Sequence, residues 1–277
     1  MRRAFTLIEL LVVIAVIGLL ASIVLVNLQG VRERGRMAAG KQFSSHLQST
    51  LGSEAVGIWR FNEGSGATAY DNAGYGNNGS LTNGPAWKTA VECGLDLGAC
   101  LSFDGADDYV ALGDILGFEG FAPYTVSVWI NTTTFDGTWR RIVSKHGVVG
   151  TREGWLLWIH LGSTRELGFE RFVGGVNNGS TFFQSNAMPS GEWAHVVGTF
   201  DGSKSRLYLN GSLVATPGTA TLGLIDTSVP LAIGRDGGGG SYFGGMADDV
   251  AIYASALSTT QVQQLYAEGK DSHLAEQ

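Results

Sequence analysis

The chain has 277 residues, 44% of them hydrophobic, with 41 glycines against 5 prolines and a formal net charge of -7. The glycines follow no fixed period, which excludes collagen and points to frequent turns, and the length accommodates a membrane helix with one large domain or two small ones. Residues 1–53 hold six basic and two acidic side chains (+4) and residues 54–277 hold twelve and twenty-three (-11), so the larger part is acidic and does not suit nucleic acid as a partner.

The N-terminal stretch is a short basic head on a long apolar run, in which Glu9 is the only charged residue between Arg3 and Arg32. About 20 apolar residues at ~1.5 Å each cross the hydrocarbon layer as a helix. A cleaved secretory signal has a shorter apolar region of roughly 7–15 residues and then a small-residue cleavage site. Here Ala21 and Ser22 lie inside the run, which continues through Leu25, Val26 and Leu28. A plain anchor, with Arg2 and Arg3 holding the N-terminus in the cytoplasm, explains the length but leaves Glu9 without a partner. Helical character without proline extends from Phe5 to about Leu51, with Met37, Phe43, Leu47 and Leu51 as the later apolar positions. The basic cluster Arg32, Arg34, Arg36 and Lys41 follows the run, at the level of phospholipid headgroups or neighbouring subunits.

The segment FTLIELLVVIAVIGLLASIV resembles the N-terminus of type IV prepilins and pseudopilins. The resemblance implies a leader of residues 1–4, cut between Ala4 and Phe5 by an inner-membrane prepilin peptidase that methylates the new amine, and a transmembrane assembly helix over residues 5–53. Ala4 stands where the family prefers Gly. Glu9 would pair with the N-terminal amine of a neighbouring subunit, neutralising both charges in the apolar filament core. The implied location is the inner membrane, N-terminus cytoplasmic, and after assembly an extracellular pilus or a periplasmic pseudopilus.

The pattern changes at Glu54. AVGIWRF, LSFDG, DYVAL, YTVSVWI, RRIVSKH, GWLLWIHL, ELGFERF, WAHVVGTF, SRLYLNG, PLAIGR and DDVAIY are short segments rich in β-branched and aromatic residues, separated by Gly, Asn and Asp. They predict an all-β sandwich of two antiparallel sheets, with Trp59 and Trp129 in its core. Asn210-Gly211 predicts a type I′ hairpin turn, and Asp201-Gly202 another turn. Ser258 with Gln261 forms a capping box for a helix that Gly269 would end, leaving residues 270–277 as a frayed tail. Cys93 and Cys100, flanked by Gly94 and Gly98, are expected to form a disulfide in the exported part, and no third and fourth ligand stands at zinc spacing.

Five segments in order, GIWRFNEGSGATAYDNAGYGNNGSLTNGPAW, LSFDGADDYVALGD, YTVSVWIN, EWAHVVGTFDGSKSRLYLNGSLV and GGMADDVAIYASALSTTQVQQLY, resemble laminin-G-like domains of the concanavalin A-like lectin/glucanase superfamily. The resemblance covers residues 54–269 and implies a jelly-roll sandwich, with function left to the site itself.

Hydrolysis of a glycan needs two carboxylates at ~5–9.5 Å, and the glucanases of this superfamily set acids at alternating positions, as E-x-D-x-E. No such run occurs, and the neighbours Asp107-Asp108 and Asp248-Asp249 point to opposite faces of an extended strand. His160 and His195 lie in apolar strands with no reactive cysteine or G-x-S-x-G, which suits hydrogen-bonded structural roles. The chain is therefore read as non-enzymatic. Calcium wants six to eight oxygens, and DNAGYGNNG offers Asp71, Asn72, Asn77 and Asn78; the resemblance adds Asp248, so Asp71, Asn77 and Asp248 are the expected calcium set. Sugar binding needs exposed aromatic platforms, for which Trp139, Phe172, Phe183 and Tyr242 are the candidates. The whole reads as a pilin-like subunit, a minor pilin or pseudopilin, displaying a head that binds a glycan or an extracellular protein. A permanently anchored surface lectin and a glycan hydrolase are the alternatives.

Overall fold

The computed structural model describes Leu11, Ile14, Val16, Leu51 and residues 54–274, apart from 96–97, 134–135, 148–151, 163–164, 185–189 and 227. The chain divides into two compact units, Met1–Leu51 and Gly52–Gln277. In the first, Leu11, Ile14 and Val16 are helical and exposed. Among the described residues no helix is long and apolar enough to cross a membrane. Ala4, Phe5, Glu9 and the basic cluster lie outside the described residues.

The second unit begins with β1 (Ala55–Trp59), β2 (Thr68–Ala69), β3 (Gly79–Thr82), β4 (Ala86–Thr89), the single-turn helix α1 (Ala90–Cys93), β5 (Ala99–Asp104) and β6 (Tyr109–Gly113). Four long strands follow, β7 (Tyr124–Asn131), β8 (Trp139–Gly147), β9 (Glu153–Leu161) and β10 (Arg165–Val173). The chain continues through β11 (Val176–Asn177), β12 (Thr181–Gln184), β13 (Ala194–Phe200), β14 (Lys204–Leu209) and β15 (Ser212–Leu213). It closes with β16 (Gly218–Thr219), β17 (Leu231–Ile233), β18 (Gly244–Tyr253) and helix α2 (Thr259–His273).

These strands make two antiparallel sheets. The first runs β15-β14-β13-β7-β18-β5-β4, with β1 also on β18 and β16 on β14; the second runs β11-β10-β9-β8-β17-β6-β3-β2, with β12 on β10. Period-two alternation sends Val126, Val128 and Ile130 of β7, Trp155, Leu157 and Ile159 of β9, and Leu167 and Phe169 of β10 into one core between the sheets, together with Trp59, Phe103 and Phe200. The turns carry the expected geometry: Asn210 and Gly211 have φ of 49° and 75°, joining β14 to β15, as a type I′ turn requires.

All of β7 is buried, because its outer face is covered too. There, and not in the core between the sheets as expected, Trp129 stacks on His273 of α2 with ring centroids 4.3 Å apart, because it alternates with the inward Val128 and Ile130; Ser127 Oγ lies 2.8 Å from His195 Nε2. The capping box of Ser258 and Gln261 starts α2 as expected, but Gly269 does not stop it. A Cβ at Gly269 would fall 2.4 Å from Trp129 Nε1, so this glycine serves close packing rather than a C-cap, and the helix continues to His273, which is buried against Asp248. Residues 270–273 are thus part of the domain rather than a frayed tail. Helix α1 also went unpredicted, although Thr89 and Glu92 supply a capping box for it. It ends at Cys93, whose disulfide to Cys100 spans 6.2 Å between Cα atoms.

Candidate functional site

The outer face of the second sheet gathers aromatic and charged side chains in rows set by strand register. Trp139 of β8 lies opposite His160 of β9, His160 opposite Glu166 of β10, and Glu166 opposite Gln184 of β12. In the next row Arg141, Trp158, Gly168 and Phe182 follow one another across the same strands. Further along, His146 pairs with Gly154 and Gly154 with Phe172. Because side chains alternate, all of these share the face turned away from the core.

Gly168 is what lets this face form. A Cβ there would lie 2.2 Å from the Trp158 ring, so the indole rests directly on the backbone of β10. Trp139 leans on Trp158 at 4.5 Å between centroids and stacks on His160 at 4.7 Å, while remaining 47% exposed. Phe182, 59% exposed, flanks the same row. His160 Nε2 donates to the Gly137 carbonyl at 2.9 Å, which leaves Nδ1 facing Glu166 Oε2 at 3.8 Å. Gln184 Nε2 donates to Glu166 Oε1 at 2.5 Å, holding that carboxylate at the rim.

A buried charged group supports the other end. Asp236, fully buried, accepts from His146 Nδ1 at 3.2 Å and from Arg141 Nε at 3.4 Å. Burial pushes the Glu170 carboxyl above its ordinary pKa, with Arg141 and His146 acting against that shift, and Asn177 Nδ2 donates to it at 3.2 Å. Glu166 and Glu170 share this face in the run Glu-Leu-Gly-Phe-Glu, four residues apart and so roughly 13 Å between Cα atoms. The intervening position is Gly168, covered by the Trp158 indole.

Of the expected sugar-binding aromatics, Trp139 lies on this face and exposed. Phe172 is only 6% exposed, packed with Leu156 and Trp158 under the Arg152 guanidinium, so it is not a free platform. Phe183 packs against the central core, and its neighbour Phe182 is the exposed ring: a shift of one residue exchanges the two faces of a strand. Tyr242 is half-buried in the loop before β18. Phe182, Trp158 and Glu166 were not singled out in the sequence; the glycine at 168 opposite a tryptophan is the signal they offered.

Each residue of the expected calcium set is engaged by hydrogen bonds within the protein. Asp71 accepts four backbone N–H groups, from Ile58 and Ala73 on Oδ1 and from Tyr75 and Asn77 on Oδ2, so protons rather than a cation face both oxygens. Asn77 donates its Nδ2 to the Val56 carbonyl. Asp248 instead bonds His273 Nε2 at 3.0 Å and accepts the Asp249 N–H, and burial raises its pKa. Among the described residues, acidic or histidine ligand atoms converge at Asp248, Asp249 and His273 and at Asp104, Asp107 and Asp108, and Asp71 belongs to neither group. These residues do not fit a calcium ion shared by Asp71, Asn77 and Asp248.

The two-sheet fold and its aromatic outer face define a lectin-like sandwich. The family model described as the concanavalin A-like lectin/glucanases superfamily matches residues 104–263, which is 160 of 277 residues, and the chain belongs to that superfamily. A prokaryotic N-terminal methylation motif matches residues 1–25. No curated protein matches the chain. Among solved structures, domain 4 of AbnA, an extracellular arabinanase from Geobacillus stearothermophilus in complex with arabinotriose, is similar at 18% identity and TM-score 0.56, covering 77% of this chain and 98% of that one. The botulinum neurotoxin serotype D binding domain is similar at 17% identity and TM-score 0.56, covering 79% of this chain, which spans about half (52%) of that domain. A mutant Trypanosoma rangeli sialidase displaying trans-sialidase activity is similar at 12% identity and TM-score 0.58, covering 87% of this chain and 40% of that one. At these identities the likeness concerns the fold.

Proposed function

We propose that this chain is a non-enzymatic type IV pilin-like subunit, a minor pilin or pseudopilin, whose N-terminal helix enters the membrane and then the filament, and whose sandwich is a glycan-binding head. The carrying observation is the exposed Trp139 indole, fixed against Trp158 and His160 and edged by Glu166, Gln184 and Phe182. An apolar ring face stacks on the C–H face of a sugar, and a restrained carboxylate and amide read its hydroxyls. The arabinotriose complex of a domain with this fold supports the same ligand class. The methylation motif supports processing before Phe5 and assembly through Glu9. The bulk of the head favours a minor position over one at every filament step.

The wide spacing of Glu166 and Glu170, with an indole over the residue between them, favours binding without hydrolysis. The full chain in detergent, tested on a glycan array, is expected to retain glycans without releasing reducing ends. Trp139→Ala should weaken retention about tenfold or more at unchanged melting temperature. Equal retention by the variant would overturn the site, and released sugars would overturn the non-enzymatic reading.

A further inference from the structure

A second candidate site lies at the far edge of the other sheet. The edge strand β4 and the loop stapled by the Cys93–Cys100 disulfide border a groove of about 540 Å³, lined by Asn62, Gly64, Trp87, Lys88, Thr89, Gly98 and Ala99. Its volume falls within the roughly 300–1,000 Å³ of small-ligand sites. None of its residues belongs to the Trp139 face.

Each wall is held by a contact behind it. Trp87 packs against the central core, donates its indole N–H to the Gly66 carbonyl at 2.8 Å and meets Phe61 edge-on at 6.3 Å, which fixes a half-buried ring at the groove. Asn62 Oδ1 accepts the Ala99 N–H at 2.9 Å, which directs the rest of its amide away from that backbone. Thr89 and Glu92 bond each other in the capping box, and Glu92 Oε1 lies 3.5 Å from Lys88 Nζ. Gly98, at φ +98°, passes so close to Asn62 that a Cβ would fall 2.4 Å from its Oδ1. A fixed indole with an amide and a hydroxyl at its margin can stack a ring and hydrogen-bond hydroxyls without rearranging. The Lys88 ammonium projects from the opposite face of β4 and is paired with Glu92, so the groove does not select a charged ligand.

We propose that this groove is a second saccharide subsite, taking one neutral sugar ring against Trp87 with its hydroxyls on Asn62 and Thr89. An extended peptide added to β4 is the less favoured occupant: the strand has four residues, and the Thr89 N–H already donates to Glu92 Oε2 at 2.9 Å. Two subsites on one head would raise avidity for a branched or repeating glycan without any new contact at either.

The test is calorimetric titration of the full chain in detergent with neutral arabino-, xylo-, cello- and manno-trisaccharides, comparing wild type with Trp87→Ala, Asn62→Asp and Trp139→Ala. Two binding events per chain are expected. Trp87→Ala should remove one and leave the other, Trp139→Ala should do the converse, and Asn62→Asp, an exposed change that keeps the oxygen accepting the Ala99 N–H and removes only the amide donor, should weaken the Trp87 event about threefold or more. A single event abolished by Trp139→Ala and untouched by Trp87→Ala and Asn62→Asp would overturn this subsite while leaving the first. A single event lost with Trp87→Ala alone would establish the groove and overturn the Trp139 face. Absence of saccharide binding, or capture of extended peptides through Trp87 in its place, would overturn the subsite.

Discussion

His195 shows what a buried side chain can do outside any site. It lies between Ser127 Oγ and the stacked rings of Trp129 and Tyr266, and desolvation, reinforced by His273, lowers its pKa to about 3. In the unfolded chain an imidazole titrates near 6.5, so below that pH the unfolded state takes up a proton that the fold refuses. The stabilisation is complete above pH ~6.5 and is lost as pH falls toward ~3, at up to about 1.4 kcal/mol per unit. Asp248 works in the opposite sense over the range in which its raised pKa departs from that of a free carboxyl, so the difference between two proteins isolates the histidine. Melting curves from pH 7 to 4.5 should show His195→Gln losing less stability on acidification than wild type; parallel curves would reject the assignment. Asp71 supports a second expectation. With four N–H donors on its oxygens, the loop needs no cation, and EDTA should leave the melting temperature unchanged. A fall of several degrees, restored by calcium, would reinstate the ion.

Among the elements, α2 sets local propensity against packing. Helix propensity alone says that Gly269→Ala should stabilise by ~1 kcal/mol. The structure says otherwise, because the added Cβ would meet the buried Trp129 indole at 2.4 Å, and that ring is stacked with His273 and His195. Overpacking of this kind costs roughly 1–3 kcal/mol, so the net change should be a lower melting temperature. A rise would mean that Trp129 yields easily. The strands were legible for a related reason: in β7, β9 and β13 apolar and β-branched residues are dense enough to identify the element whatever its neighbours. Two-residue strands such as β2, β11 and β16 carry no pattern of their own and exist only through pairing.

At the scale of the whole molecule, an N-terminal assembly segment precedes a domain with its own core. The methylation motif over residues 1–25 gives the first unit a chemical test. Mass analysis of the mature protein should find N-methyl-Phe5 at the N-terminus, and an intact Met1 in functional protein would favour the permanently anchored lectin. Glu9→Leu should still be processed and inserted but should fail to enter filaments, since the acid is proposed to meet the amine of a neighbour. Filaments in which this subunit dominates by mass would reject the minor role.

The amino-acid sequence by itself determined the two-part plan, the disulfide partners, the hairpin turn at Asn210-Gly211 and the core role of Trp59. Each follows from a local quantity: apolar length, alternation, turn stereochemistry, or a pair of cysteines with no competitor. Only the tertiary structure decided which aromatic ring faces out. Phe182 and Phe183 differ by one step of a two-residue period, and their facing depends on the register of β12 against β10. It also decided that Gly168 makes room for Trp158, that Asp236 meets His146 ninety residues away, and that Asp248 bonds His273 of α2. These are contacts between distant segments, and their geometry exists only once the two sheets have closed on the core.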